Sequence, residues 1–434
     1  MLRRALIRAA LAPAAIRGVL DGAARRAGLA AGLSGALAAP AIAQAPTQAP
    51  TQPPVQTAPS GTAAPEDGLV EKKVFETQGF RTRGGATIPT VRLGYQTMGQ
   101  LNAAGDNAVL ICHFFSANSH AFGRYAAGEA PGYWDAIIGP GKAIDTGRFF
   151  VVSSDTLVNI NPRDARTTTT GPATVNPQTG RPWGMEFPVI AMRDFVEAQK
   201  LLLDSLGVKR LALVAGPSNG ALNTIEWACA YPEMIERAMP VIGAGEFDAW
   251  MIGWLDVWES PIRLDPNWRG GDYYGVGREA PLRGLAEALK IVSLHARDRG
   301  WARQFGRRPA EGQDPARRIG DRFAVEKWLE DTATARARTA DANSFLYMVR
   351  ANQLFLNEYP SSEAALANSK ARWLVAASLG DRVFPIEYNH ELVAMLRRAG
   401  RPVEFVELRG DLGHLEGVAG MAQAAGPIGR FLAG

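Results

Sequence analysis

The chain has 434 residues, and its 47% hydrophobic and 21% charged residues supply ample material for one large domain or two. Its formal charge of +4 is unevenly placed: residues 1–45 carry Arg3, Arg4, Arg8, Arg17, Arg25 and Arg26 against Asp21, a net of +5 that leaves about −1 for the rest. The basic character therefore belongs to the leader, and a nucleic-acid-binding surface is excluded as its cause.

The leader reads as an export signal. Arg25-Arg26 precede an apolar run from Ala27 to about Ala43, and Ala43-Gln44-Ala45 gives the small-x-small pattern of a cleavage site. The paired arginines resemble a twin-arginine signal, with an ordinary secretory signal as the alternative, and the expected location is periplasmic or secreted. Gly32, Ser34, Gly35 and Pro40 make the run a poor membrane-spanning helix, and no later stretch offers the ~18 apolar residues a span needs. Residues 46–67, mostly Pro, Thr, Gln and Ala, read as a disordered linker with too little apolar surface to offset ordering entropy.

From residue 68 the pattern alternates strand and helix, which predicts an α/β fold with a mostly parallel sheet and helices on both faces. Strands are predicted at Thr90–Thr97, Ala108–Cys112, Phe149–Val152, Arg210–Ala215, Ala238–Ile242, Trp373–Ala377 and Glu404–Leu408, and helices at Asp194–Leu206, Ala221–Ala230 and Glu387–Arg398. Residues 245–359 break the alternation with helical, tryptophan-rich sequence. This stretch is predicted as a helical cap over the carboxyl edge of a core formed by 68–244 and 360–434, where open α/β sheets bind ligands. Cys112 and Cys229 sit in apolar contexts and read as small buried hydrophobes.

Gly216-Pro217-Ser218-Asn219-Gly220 follows the apolar strand Leu211–Ala215 and opens a helix. That context is the nucleophile elbow of the α/β-hydrolase fold, where a tight turn lifts a serine above the sheet edge and glycines make room for it. A serine needs a base, and the fold orders the triad as serine, acid, histidine. Asp381 follows the strand Trp373–Ala377, and His414 follows the final strand. Asp381, His414 and Ser218 are therefore the candidate triad, with the amides of Asn219 and Phe115 as candidate oxyanion donors and Ser116 as the alternative to Phe115. His113 has no partners at metal-ligand spacing and reads as a loop-orienting residue, so no metal is expected. His390 falls within a helical pattern and reads as a structural or surface residue.

The chain from about Gly84 onward resembles the homoserine O-acetyltransferase-like family of the α/β-hydrolase superfamily. The resemblance rests on Tyr95-Gln96-Thr97-Met98-Gly99-Gln100-Leu101-Asn102, Pro131-Gly132-Tyr133-Trp134-Asp135, Asn176-Pro177, Phe187-Pro188, Arg193-Asp194, the elbow with Glu226-Trp227, Asp265 to Tyr273, and Asp341-Ala342-Asn343-Ser344. It implies Ser218, Asp381 and His414 in the triad, a helical cap over a deep acyl tunnel, and acetyl-CoA as a donor substrate; no bound cofactor is expected. The chain departs from the family at Asn219, where Met is usual, at Thr332-Ala333 in place of a Gln-Gly pair, and at Leu415, where an Asp facing the substrate ammonium is usual. The family's carboxylate-gripping arginine has Arg297 as its candidate counterpart. The acyl-transfer machinery is thus kept while part of the amino-acid recognition is lost. The expected activity is serine-dependent acyl transfer, as an envelope ester hydrolase or acyltransferase acting on a small ester or thioester. A true homoserine acetyltransferase is the first alternative. A non-catalytic binding protein on the same fold is the second, and retention of all three triad residue types speaks against it. A homodimer is compatible with this reading.

Overall fold

The computed structural model describes residues 68–434; the expected signal peptide and linker lie outside the described residues. Eight strands form one sheet: β1 (Lys73–Arg81), β2 (Thr87–Met98), β3 (Ala108–Cys112), β4 (Phe150–Ser154), β5 (Leu211–Pro217), β6 (Arg237–Val241), β7 (Arg372–Ser378) and β8 (Val403–Leu408). Their spatial order is β1-β2-β4-β3-β5-β6-β7-β8. β2 runs antiparallel to both β1 and β4, whereas β4 through β8 are parallel. All five residues of β3 are buried, as expected of a strand covered on both faces. Its side chains still alternate: Leu110 and Cys112 enter one core, Val109 and Ile111 the other.

Helices of seven or more residues are numbered α1 (Met192–Ser205), α2 (Asn219–Ala230), α3 (Ala249–Leu264), α4 (Leu282–His295), α5 (Ala324–Ala337), α6 (Ala342–Gln353), α7 (Ser362–Asn368), α8 (Ile386–Arg398) and α9 (Ala425–Ala433). α1, α2 and α8 help fill the first core, and α9 and the fully buried Trp134 the second. Between β6 and β7 the chain is helical, carrying α3 to α7.

The predicted strands all occur, with ends shifted by a few residues. β1 is an addition to the sequence reading. Its residues Lys-Val-Phe-Glu-Thr-Gln-Gly-Phe-Arg are largely polar and only half-buried, because it is an edge strand whose main partner is the hairpin to β2. Its start is anchored by Lys72, whose ammonium bonds the buried Asp155 carboxylate (2.7 Å) and Ser119 Oγ (2.5 Å). Burial lowers the Lys72 pKa, opposed by the Asp155 charge. Among the described residues no helix is long and apolar enough to cross a membrane.

Candidate active site

β5 delivers Ser218 directly into α2, with Ser218 at φ 59° and ψ −120°. Such a backbone is costly for a non-glycine residue, about 1–3 kcal/mol, and persists only where its surroundings enforce it. Here Ser218 N–H donates to Val241 O (2.9 Å) and Ser218 O accepts from Ala221 N–H (2.7 Å). The flanking glycines are sterically required, since a Cβ at Gly216 would lie 2.4 Å and one at Gly220 2.1 Å from the Cys112 carbonyl oxygen.

Asp381 and His414 come together from loops after β7 and β8. His414 Nδ1–H donates to Asp381 Oδ2 at 2.7 Å, and Asp381 Oδ1 accepts from the amides of Val383 (2.8 Å) and Phe384 (2.9 Å). Only a carboxylate acceptor faces Nδ1, so the proton of the neutral ring sits there and Nε2 carries the lone pair. Gly413, at φ 67°, packs against the Arg297–Asp298 backbone, and its carbonyl accepts from Ser378 Oγ (2.7 Å). The Phe384 ring lies against His414, with centroids 5.9 Å apart, and also lines the pocket that contains Ser218.

That pocket is narrow, with about 360 Å³ of empty space including its mouth. Phe115 and Asn219 line it beside Ser218, and α3 contributes Met251, Trp254 and Trp258. The loop carrying Phe115 is held by its carbonyls: His113 O accepts from Asn219 Nδ2 (3.2 Å), Ser116 O from Asn161 Nδ2 (3.0 Å) and Ala117 O from Asn159 Nδ2 (2.9 Å). Among the described residues no acceptor is bonded to the Phe115 amide. The Asn219 amide lies at the N-terminus of α2, where N–H groups have no intrahelical partner. His113 is buried; its Nδ1–H donates to Phe114 O (2.8 Å) and its Nε2 accepts from Thr156 N–H (3.2 Å). Burial lowers its pKa, and it braces the loop as a neutral ring.

Arg297 is not brought into this pocket, which corrects its assignment as a substrate-binding residue. Its guanidinium is held between Trp301 (4.8 Å) and Trp328 (4.7 Å), and one nitrogen bonds Ser293 O. Glu416 also turns away: its carboxylate accepts from Leu412 N–H (3.0 Å) and Gln423 Nε2 (3.3 Å), stiffening the His414 loop. His390 is exposed on α8. Among the described residues no group of three or more His, Cys, Asp or Glu could hold a metal, and both cysteines are free and buried.

Sequence reasoning missed His295, the last residue of α4. It lines the pocket, stacks on Trp254 (centroids 4.1 Å) and accepts from Trp258 Nε1–H at Nδ1 (3.1 Å). Burial pushes its pKa down to about 4, so the ring is neutral near pH 7. Asn352, also missed, enters the same lining from α6. Neither has a signal in the sequence, because each meets its partners across separate elements.

The sheet order, the strand-to-helix serine turn and the acid–histidine pair define an α/β-hydrolase. No family model matches the chain. It is 39% identical over 354 residues to a homoserine O-acetyltransferase of Symbiobacterium thermophilum, covering 80% of this chain and 90% of the relative. It is 37% identical over 387 residues to one of Solidesulfovibrio magneticus, covering 86% and 94%. Among solved structures, esterase E22 matches with a TM-score of 0.81 and 44% identity, over 84% of this chain and all of the other. The homoserine O-acetyltransferase of Bacillus anthracis matches with a TM-score of 0.79 and 34% identity, over 84% and 98%. The chain belongs to the homoserine O-acetyltransferase family of α/β-hydrolases.

Proposed function

We propose that this chain is a serine hydrolase of the cell envelope that cleaves small, uncharged esters through an acyl-enzyme on Ser218. The observation that carries the reading is the lining of the Ser218 pocket: apolar and neutral side chains, with no carboxylate, ammonium or guanidinium among them. A zwitterionic amino-acid acceptor would have to shed water there without a countercharge, and losing one charge-assisted partner costs roughly 1.5–3 kcal/mol. Leu415 and the turned-away Glu416 support the same conclusion.

In the proposed reaction Ser218 Oγ attacks the ester carbonyl carbon while His414 Nε2 takes the hydroxyl proton. Asp381 stabilises the imidazolium, and the amides of Asn219 and Phe115 hold the tetrahedral oxyanion. The bond to the alkoxy oxygen then breaks, and His414 returns the proton to the leaving alcohol. Water, deprotonated by His414, attacks the acyl-enzyme; the bond to Ser218 Oγ breaks, and the serine recovers its proton.

A second reading, transfer of an acetyl group from acetyl-CoA to homoserine, is favoured by the names of the curated relatives. Ester hydrolysis and homoserine-dependent thiol release from acetyl-CoA, run side by side at one enzyme concentration, separate the two. Hydrolysis of short-chain activated esters with little homoserine-dependent CoA release is expected, and robust CoA release would overturn the reading. Ser218→Ala should lower kcat by on the order of 10⁴–10⁶ without loss of fold, and phosphonate labelling should map to Ser218.

A further inference from the structure

Asn352 stands near the end of α6, is 5% exposed and contributes its side chain to the Ser218 pocket. The orientation of its amide is fixed by its neighbours. Asn352 Nδ2 donates to Met348 O (2.8 Å), a backbone carbonyl that can only accept, and to Asn219 Oδ1 (3.0 Å). Asn219 is fixed in turn, because its Nδ2 donates to the His113 carbonyl (3.2 Å). Both hydrogens of Asn352 Nδ2 are therefore committed to the protein, and no flip of either amide preserves this chain of bonds.

What remains is Asn352 Oδ1. Among the described residues no donor is bonded to it, yet it is not one of the sealed oxygens such as Asn223 Oδ1 and Asn389 Oδ1, which are shut off from any partner. It is the one uncommitted polar atom of the Asn352 side chain, and Asn352 lines the pocket. Of the other polar side chains of the lining, Ser218 excepted, Asn219 Oδ1 already accepts from Asn352 and His295 Nδ1 from Trp258. His295 Nε2 then carries the proton. Where the neighbouring Asn219 and His295 acceptors are already engaged, an oriented carbonyl oxygen with no partner rewards a ligand that brings a donor and penalises one that leaves the oxygen dry.

We infer that Asn352 is the polar specificity residue of this pocket, and that the substrate class is uncharged esters carrying a hydroxyl or N–H donor near the scissile carbonyl, which Asn352 Oδ1 accepts. The inference rests on the hydrolase reading above and narrows its substrate. The donor belongs either to the acyl group or to the alcohol, and matched pairs distinguish them. Ethyl glycolate against ethyl propionate tests the acyl side, and 2-hydroxyethyl acetate against propyl acetate the alcohol side, each pair nearly isosteric.

The experiment measures kcat/KM for all four esters by pH-stat titration, on the full chain and on two variants. Asn352→Leu removes the acceptor. Asn352→Ala removes the acceptor with a smaller side chain, so that the test stands if Asn352→Leu folds poorly. The expected result is a preference of about fivefold or more for the hydroxylated ester on one of the two arms, falling to about one in both variants. No preference on either arm in the unaltered chain, or a preference that survives in the variants, would overturn the inference. Failure of the underlying reading is distinct: none of the four esters would be turned over, or turnover would survive Ser218→Ala.

Discussion

Around Ser218 the decisive contacts are between atoms that no substitution can shrink. A methyl group at residue 220 would stand 2.1 Å from the Cys112 carbonyl oxygen, and the obstacle is backbone. Gly220→Ala should therefore lower Tm by several degrees and abolish ester turnover, whereas Gly253→Ala, with open space around its Cα on the exposed face of α3, should keep turnover and not lower Tm; thermal melts and an ester assay check this. His295 allows a pH prediction. Its pKa falls from 6.5 to about 4 on folding, so the unfolded chain binds the proton more readily. Its contribution to stability is complete above pH 6.5 and is lost as pH falls from 6.5 towards 4, by up to about 1 kcal/mol per pH unit. His113, whose pKa is also lowered by burial, acts in the same direction. His295→Gln keeps an acceptor for Trp258 without the titration, so Tm against pH should be flatter for the variant than for the parent across that window. Ser218, Asp381 and His414 can be nominated from the sequence because each follows a strand in a recognisable local context. His295 and Asn352 were not, since a pocket wall assembled from α4 and α6 leaves no pattern in either helix. Arg297 was misread for a related reason: its neighbours Trp301 and Trp328 compete for the guanidinium through cation–π contacts that its position in the sequence does not reveal.

Elements show the same division between local and distant causes. The buried parallel strands declared themselves as short apolar runs. β1 did not, because an edge strand paired on one side tolerates Lys73, Glu76, Thr77 and Gln78. The cap's aromatic run was legible as helix, but its attachment was not. Asp248 caps α3 by accepting from Met251 N–H (3.0 Å), and both its carboxylate oxygens lie 3.0 Å from Tyr388 Oη of α8. One side chain thus serves as helix cap and as a tie between the cap and the core. Asp248→Ala should cost about 1–2 kcal/mol, more than the hydrogen-bond loss in Tyr388→Phe, and should increase proteolytic cleavage within residues 245–359. Limited proteolysis followed by mass spectrometry reads this out, and equal protection in the two variants would refute the double role.

For the whole molecule, the leader makes the clearest prediction: the protein isolated from its native host should begin near Ala45 or Pro46, which N-terminal sequencing determines. A cytosolic protein retaining Met1 would restore access to acetyl-CoA and with it the transferase reading. The sheet itself sets a different property. The nucleophile turn and the loop bearing Phe115 diverge from one carbonyl, that of Cys112, against which Gly216 and Gly220 both press. The approach of the Ser218 turn to the end of β3 is therefore limited by hard-core repulsion between backbone atoms. Repulsion of this kind is indifferent to ionic strength and protonation, unlike the ion pairs at the surface. Salt and acid act on charged groups, whereas the close approach of the Ser218 turn to the Cys112 carbonyl should persist until the sheet itself gives way.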